Sequence, residues 1–289
     1  MGYGKYSLDD RTVRATTMGY STKSRDDIFI QNKKRMIHEQ MNPKGVALRE
    51  SCDSEKHPNT TTIQLYLDDT GSMGNIPHEL IKEGLPTLIG SLIQNGVEDV
   101  ALMFGAVGDH ECDSYPLQVG QFESGDAEMD MWLERTYLEG GGGGNEGESY
   151  LLAWYFAANH VRTDAFDKRG KKGFVFTIGD EPCLRTLPAS AVKAIMGDSS
   201  AAQGSLTREK LLEEVQKKNN VYHIHINHGH GMDVAWKNML GQHAIEIYDY
   251  TLVGKTISDI ILSHKEEIVS TVKPDDSEES TPKRKKIML

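Results

Sequence analysis

The sequence predicts an α/β fold, an open and mostly parallel Rossmann-like sheet with helices on both faces. Two observations carry this. From Thr61 to Val269, short runs rich in Val, Ile, Phe and Tyr alternate with longer segments whose apolar residues recur at helical spacing. Parallel strands need crossover connections, so a chain with this alternation builds a sheet covered on both sides. A third observation bounds the answer. At 289 residues the chain is long enough for one large domain with flanks.

The elements follow in order. Residues 1–60 are rich in Gly, Thr, Arg, Lys and Asp, with weak periodicity apart from one short helix expected within Asp27 to Gln40, and read as an N-terminal arm wrapping the domain. The domain proper is expected over 61–269. Thr61 to Leu67 alternates as a strand, and Pro77 to Gln94 has helical spacing with Pro77 in its first turn; Pro86 inside that pattern predicts a kink, or two helical pieces in place of one. Val100 to Val107 reads as a buried strand, Leu117 to Phe122 as a short one, and Asp126 to Tyr137 as a helix. A glycine-rich loop, Gly140 to Gly147, leads to a helix from Glu148 to Val161. Next come a strand at Gly173 to Gly179, helices at Ala189 to Met196 and Thr207 to Lys218, and a strand at Val221 to Ile226. A helix at Met232 to Leu240, a strand at Ala244 to Tyr248 and a helix at Thr251 to Val269 complete the alternation. Residues 270–289 are polar and predicted to be a disordered tail, whose basic run Lys283-Arg284-Lys285-Lys286 reads as solvated or, alternatively, as a docking or targeting signal.

Composition excludes several functions. The formal charge of −11 repels phosphate backbones, so nucleic acid is not the expected partner. No apolar run is long enough for a membrane span, and Met1 to Asp10 lacks the order of a secretion signal, so a cytoplasmic protein is expected. Its three cysteines, Cys52, Cys112 and Cys183, lie far apart and suit a reducing compartment. Neither GxGxxG after a first strand nor GxxxxGK[ST] occurs, so no dinucleotide or triphosphate site is announced.

In such a sheet ligands bind beyond the carboxyl ends of the strands. The loop leaving the first strand reads Asp68-Asp69-Thr70-Gly71-Ser72-Met73. It sets a carboxylate and two hydroxyls at i, i+2 and i+4, hard oxygen donors suited to Mg²⁺, Mn²⁺ or Ca²⁺. The plainer alternative is a turn in which Asp68 and Thr70 cap the next helix. The pattern resembles the metal-ion-dependent adhesion site (MIDAS) of von Willebrand factor type A (vWA) domains, whose first motif is an Asp-x-Ser-x-Ser turn, with Thr70 in place of the first serine. The strand Phe174 to Gly179 followed by Asp180 is similar to the later strand of that family, whose terminal aspartate approaches the same ion. The resemblance covers residues 61–268, and it implies a metal site of Asp68, Thr70, Ser72 and Asp180.

One departure stands out. The family supplies a threonine from a glycine-rich loop, yet Gly140 to Ser149 contains none; Asn145, Glu146 or Glu148 is left to take its place, with Asn145 and Glu146 favoured. Stretches Glu50 to Asn59 and Leu117 to Ser124 look like those of a little-characterised microbial and phage-type vWA subgroup. Asp109, Glu111 and Asp113 are expected on the same rim, either orienting metal-bound waters or as a solvated acidic loop. His223 and His225 share a strand face with His228 and His230 in the loop beyond, and read either as packed histidines or as a second, nitrogen-ligated site.

The resemblance implies a binding protein rather than an enzyme: an adaptor that engages an acidic residue of a protein partner through the cation, working with a MoxR-type AAA+ ATPase. Two other readings compete. One is a structural assembly component of a phage or particle, and the other a metal-dependent phosphoester hydrolase.

Overall fold

Eight consecutive residues, Thr61–Asp68, form a strand, β1, that is buried from end to end. It lies inside a six-stranded sheet in the computed structural model, which describes residues 4–97, 99–141, 147–199 and 204–269. The other strands are β2 (Val100–Val107), β3 (Leu117–Val119), β4 (Gly173–Gly179), β5 (Asn219–Ile226) and β6 (Ala244–Ile247). Their order is β3-β2-β1-β4-β5-β6, and every pairing is parallel except β2 with the short edge strand β3. The expected α/β class is therefore the observed one. Connections leave β1 and β4 toward opposite edges, so the chain reverses its winding between these two neighbours. A crevice opens beyond their carboxyl ends, which is where such sheets hold ligands.

The strand period of two divides the core. Ile63, Leu65 and Leu67 face one side, where they join residues of α2 (Leu85–Gln94) and α8 (Val253–Ser263). Tyr66 faces the other side, with α4 (Tyr150–Asn159) and α6 (Arg208–Gln216). Asp68 follows Tyr66 in this alternation and so points toward α4. Helix α4 is almost wholly buried and apolar around its circumference, as a helix enclosed between sheet and outer helices must be.

The arm packs on the same core. Helix α1 (Leu8–Met18) begins at Ser7, whose hydroxyl accepts from the Asp10 amide at 3.1 Å. Its Arg14 makes two contacts with Asp130 of α3 (Asp126–Glu134), at 2.9 and 3.1 Å, and also pairs with Asp126. Tyr6, Tyr20, Ile28 and Phe29 enter the cluster that holds β1. Residues 49–51 further pair in parallel with residues 161–163.

Several elements differ from expectation. The region Asp27 to Gln40 is not one helix: single turns Arg25–Ile28 and Gln31–Lys34 are separated at Phe29, whose burial pulls the backbone out of helical geometry, and Arg35 ends the second in the left-handed region. The predicted kink falls before Pro86. Residues Leu80–Gly84 widen into a π-helical segment, which leaves Pro86 in the first turn of α2, where its missing N–H costs nothing. The widened segment also meets α8 closely, because a side chain at Gly254 would collide with the backbone of Gly84. The last helix is broken at His264, and Lys265–Val269 forms a separate turn. The predicted tail, 270–289, lies outside the described residues.

Phe29 has no exposed surface although it belongs to the arm. Phe29→Ala is expected to lower stability in urea unfolding by about 3–5 kcal/mol, the cost of emptying a core site of that size. A loss below about 1 kcal/mol would mean that the arm contributes little to the core.

Candidate metal centre

The turn leaving β1 is held by its own side chains. Asp68 Oδ1 accepts from the Thr70 amide at 2.9 Å and from the Thr70 hydroxyl. Thr70 Oγ1 lies 3.2 Å from Ser72 Oγ, and the Ser72 hydroxyl donates to Asp180 Oδ1 at 2.8 Å. Asp68, Thr70, Ser72 and Asp180 thus form one continuous hydrogen-bonded run across the crevice between β1 and β4. Asp68 and Thr70 are buried, Asp180 is half-buried and Ser72 is exposed, so the run is rooted in the core and open to solvent at its outer end.

A third segment reaches Asp68 from behind. Tyr150, the first residue of α4, is fully buried and donates its hydroxyl to Asp68 Oδ2 at 2.7 Å. Gly179 makes room for this bond, since a side chain there would meet the Tyr150 oxygen at 1.9 Å. The glycine-rich loop is tied to the turn through its backbone: the Gly71 amide donates to Gly141 O at 3.0 Å and the Gly140 amide to Asp69 O at 3.1 Å. Asp69 turns the other way, where Gln118 donates to its Oδ2 at 2.9 Å.

The site gathers more buried carboxyls than its hydrogen bonds can keep ionised. Burial pushes the Asp68 carboxyl up to about 7, against the pull of the Thr70 and Tyr150 hydrogen bonds, and the Asp180 charge adds to the rise. Asp69 is held well above the usual carboxylate range, by burial first and then by Asp68, Asp113 and Glu139. Burial, reinforced by Asp68, Asp109, Asp113 and Asp69, pushes Glu148 up to about 9. Among the described residues no three His, Cys, Asp or Glu side chains are gathered as a metal centre. The donors that do converge are two carboxylates and two hydroxyls. That hard oxygen set fits a divalent cation such as Mg²⁺.

Of the residues singled out in the sequence, Asp68, Thr70, Ser72 and Asp180 are brought together. Asn145 and Glu146 lie outside the described residues. Asp109 and Asp113 reach the same rim, where the Asp109 amide donates to Asp113 Oδ2 at 2.6 Å, while Glu111 is exposed. The histidines divide. His223 is buried, stacked on Trp236 with ring centroids 3.6 Å apart, and shares a 3.0 Å hydrogen bond with Thr177. His225 is buried as well, whereas His228 and His230 are exposed, so the four do not converge. Tyr150 is the residue that sequence reasoning missed. In sequence it is one more apolar residue of a buried helix, and nothing local marks its hydroxyl.

No protein-family model matches the chain, and neither does any curated protein. Solved structures do. The pilus adhesin SpaC from Lactobacillus rhamnosus GG, in its open conformation, is 10% identical with a TM-score of 0.47; the match covers 76% of this chain and 31% of that one. Proximal thread matrix protein 1 from the mussel byssus is 10% identical, with a TM-score of 0.48 and 73% and 49% of the two chains covered. The vWF domain of the type V pili tip protein Mfa5 from Porphyromonas gingivalis is 11% identical, with a TM-score of 0.47 and 75% and 98% covered. The match thus spans less than half of the first two proteins.

The raised Asp68 value has a consequence for stability. Without a cation, the folded state disfavours ionised Asp68 more than the unfolded state does. The stability linked to this group is complete below the ordinary carboxylate value of 3.8 and is lost as pH rises through about 7. In EDTA, thermal melts of Asp68→Asn should show a shallower decline over that window than the wild type. Parallel curves would place the pH dependence elsewhere.

Proposed function

We propose that this chain is a protein-binding module that engages an acidic residue of a partner through a divalent cation, Mg²⁺ or in its place Mn²⁺ or Ca²⁺, held by Asp68, Thr70, Ser72 and Asp180. The supporting observation is the hydrogen-bonded run that joins these four residues across two strand ends. Hydroxyls that now donate to carboxylates have lone pairs free to turn toward a cation, and each carboxylate already faces one of the two adjacent hydroxyls. Tyr150 holds Asp68 from behind, which restrains the carboxylate in the orientation the site needs. Exposed Ser72 and half-buried Asp180 leave the outer side accessible to a protein surface.

When bound, a small hard cation supplies a positive charge with coordination positions that four side chains do not fill, and a carboxylate oxygen can take one of them. The adaptor role beside a MoxR-type AAA+ ATPase is the partner class that fits this reading, and it is supported by the resemblance of the Asp68 turn to the adhesion motif.

Calorimetry with Mg²⁺ and Mn²⁺ tests the cation. Wild type should bind, while Asp68→Ala and Asp180→Ala should lose binding; titrations unchanged by both substitutions would sink the proposal. Tyr150→Phe should weaken the cation by about 10-fold while the protein stays folded. Capture of partners with and without EDTA then tests recognition, with Asp68→Ala as the folded control. Metal-dependent phosphoester turnover that disappears in Asp68→Ala would favour the hydrolase reading instead.

A further inference from the structure

We propose that the N-terminal arm clasps the turn Asp68 to Met73 and thereby sets its cation affinity, with Arg25 and Asn32 as positioning residues; this rests on the cation reading above. Arg25 Nη1 donates to Gly74 O at 2.9 Å, at the point where the chain leaves that turn. Gly74 has φ +49°, a left-handed conformation that suits glycine, and it has no side chain with which to anchor itself. Asn32 holds the other flank. Its Oδ1 accepts from the Leu138 amide at 2.9 Å, just ahead of Gly140 and Gly141, whose backbone is bonded to Asp69 and Gly71 of the turn.

The two grips act as one unit. Asp26 Oδ1 accepts from Asn32 Nδ2 at 2.7 Å and lies 3.6 Å from Arg25 Nε, so a single carboxylate orients both side chains. With an acid on one side and an amide N–H on the other, the Asn32 carboxamide has one orientation that satisfies both. Phe29, between them in sequence, is fully buried and fixes this segment to the core. Arg25 and Asn32 themselves are half-buried and Asp26 is exposed, so their bonds add little to global stability. What they restrain is local, because both land on backbone that borders or supports the turn. A turn held in its binding geometry takes up a cation without first having to be ordered, whereas a turn that samples other geometries binds more weakly in proportion.

The sign of the effect separates positioning from simple electrostatics. Deleting a positive charge beside the site would by itself tighten cation binding, whereas loss of the clasp loosens it. In Mg²⁺ calorimetry of the full chain, Arg25→Ala and the uncharged change Asn32→Ala should each bind about 10-fold more weakly, the cost typical of removing a group that orients a metal site, and Arg25→Lys should fall between Arg25→Ala and the wild type. In EDTA, hydrogen exchange in Arg25→Ala should quicken at the Thr70 and Gly71 amides, which donate to Asp68 and to Gly141 O, and stay unchanged along β1. Unchanged or tighter Mg²⁺ binding by Arg25→Ala would overturn the inference. Weaker binding accompanied by faster exchange throughout β1 would overturn it as well, since general destabilisation would then be the cause. A wild type that binds no Mg²⁺ removes the cation reading and this inference together, whereas wild-type binding with indifferent Arg25→Ala and Asn32→Ala removes only the latter.

Discussion

The arrangement depends on one carboxylate placed at the end of a wholly buried strand. Asp68 has no exposed surface and stands where β1 leaves the sheet, at the point where the chain reverses its winding. A carboxylate in that position must be satisfied by what the fold brings to it. Thr70 supplies an amide and a hydroxyl from the same turn, Tyr150 supplies a phenol from α4, and Gly179 gives up its side chain so that the phenol fits. Even so the carboxyl is pushed up to about 7, which marks these hydrogen bonds as incomplete compensation.

The layers around this point act as its support. Trp236 of α7 (Val234–Leu240) donates its indole N–H to Glu181 O at 3.1 Å, next to Asp180, and its ring lies flat on His223. Tyr150 meets both rings edge-on, at 5.3 and 5.2 Å. The same aromatic pile therefore positions the loop that carries Asp180 and the phenol that holds Asp68. That accounts for His223 as packing, and it places its neutral imidazole where burial keeps the value well below that of a free histidine.

Much of the fold was legible in the sequence because its signals are local. The period of two in Thr61 to Leu67, the apolar runs at Val100 to Val107 and Gly173 to Gly179, and the helical spacing between them mark strands and crossovers without reference to anything distant. The Asp68, Thr70 and Ser72 spacing is equally local, since one tight turn carries all three donors. Where expectation and structure part, a distant contact is responsible. Phe29 interrupts the arm's helix because it is drawn into the core beside β1, and the helical segment before α2 widens where α8 presses against Gly84.

The sequence by itself determined the class of the fold, the order of its elements and the turn with its three oxygen donors, since each is written in residues within a few positions of one another. Only the tertiary structure decided that Asp180 stands 2.8 Å from Ser72 across 108 residues of chain, that Tyr150 grips Asp68, and that Glu148 is buried near Asp68, Asp109, Asp113 and Asp69. Those meetings depend on the register between β1 and β4 and on the depth at which α4 is seated. Register and depth come from packing over the whole core, which no local spacing encodes.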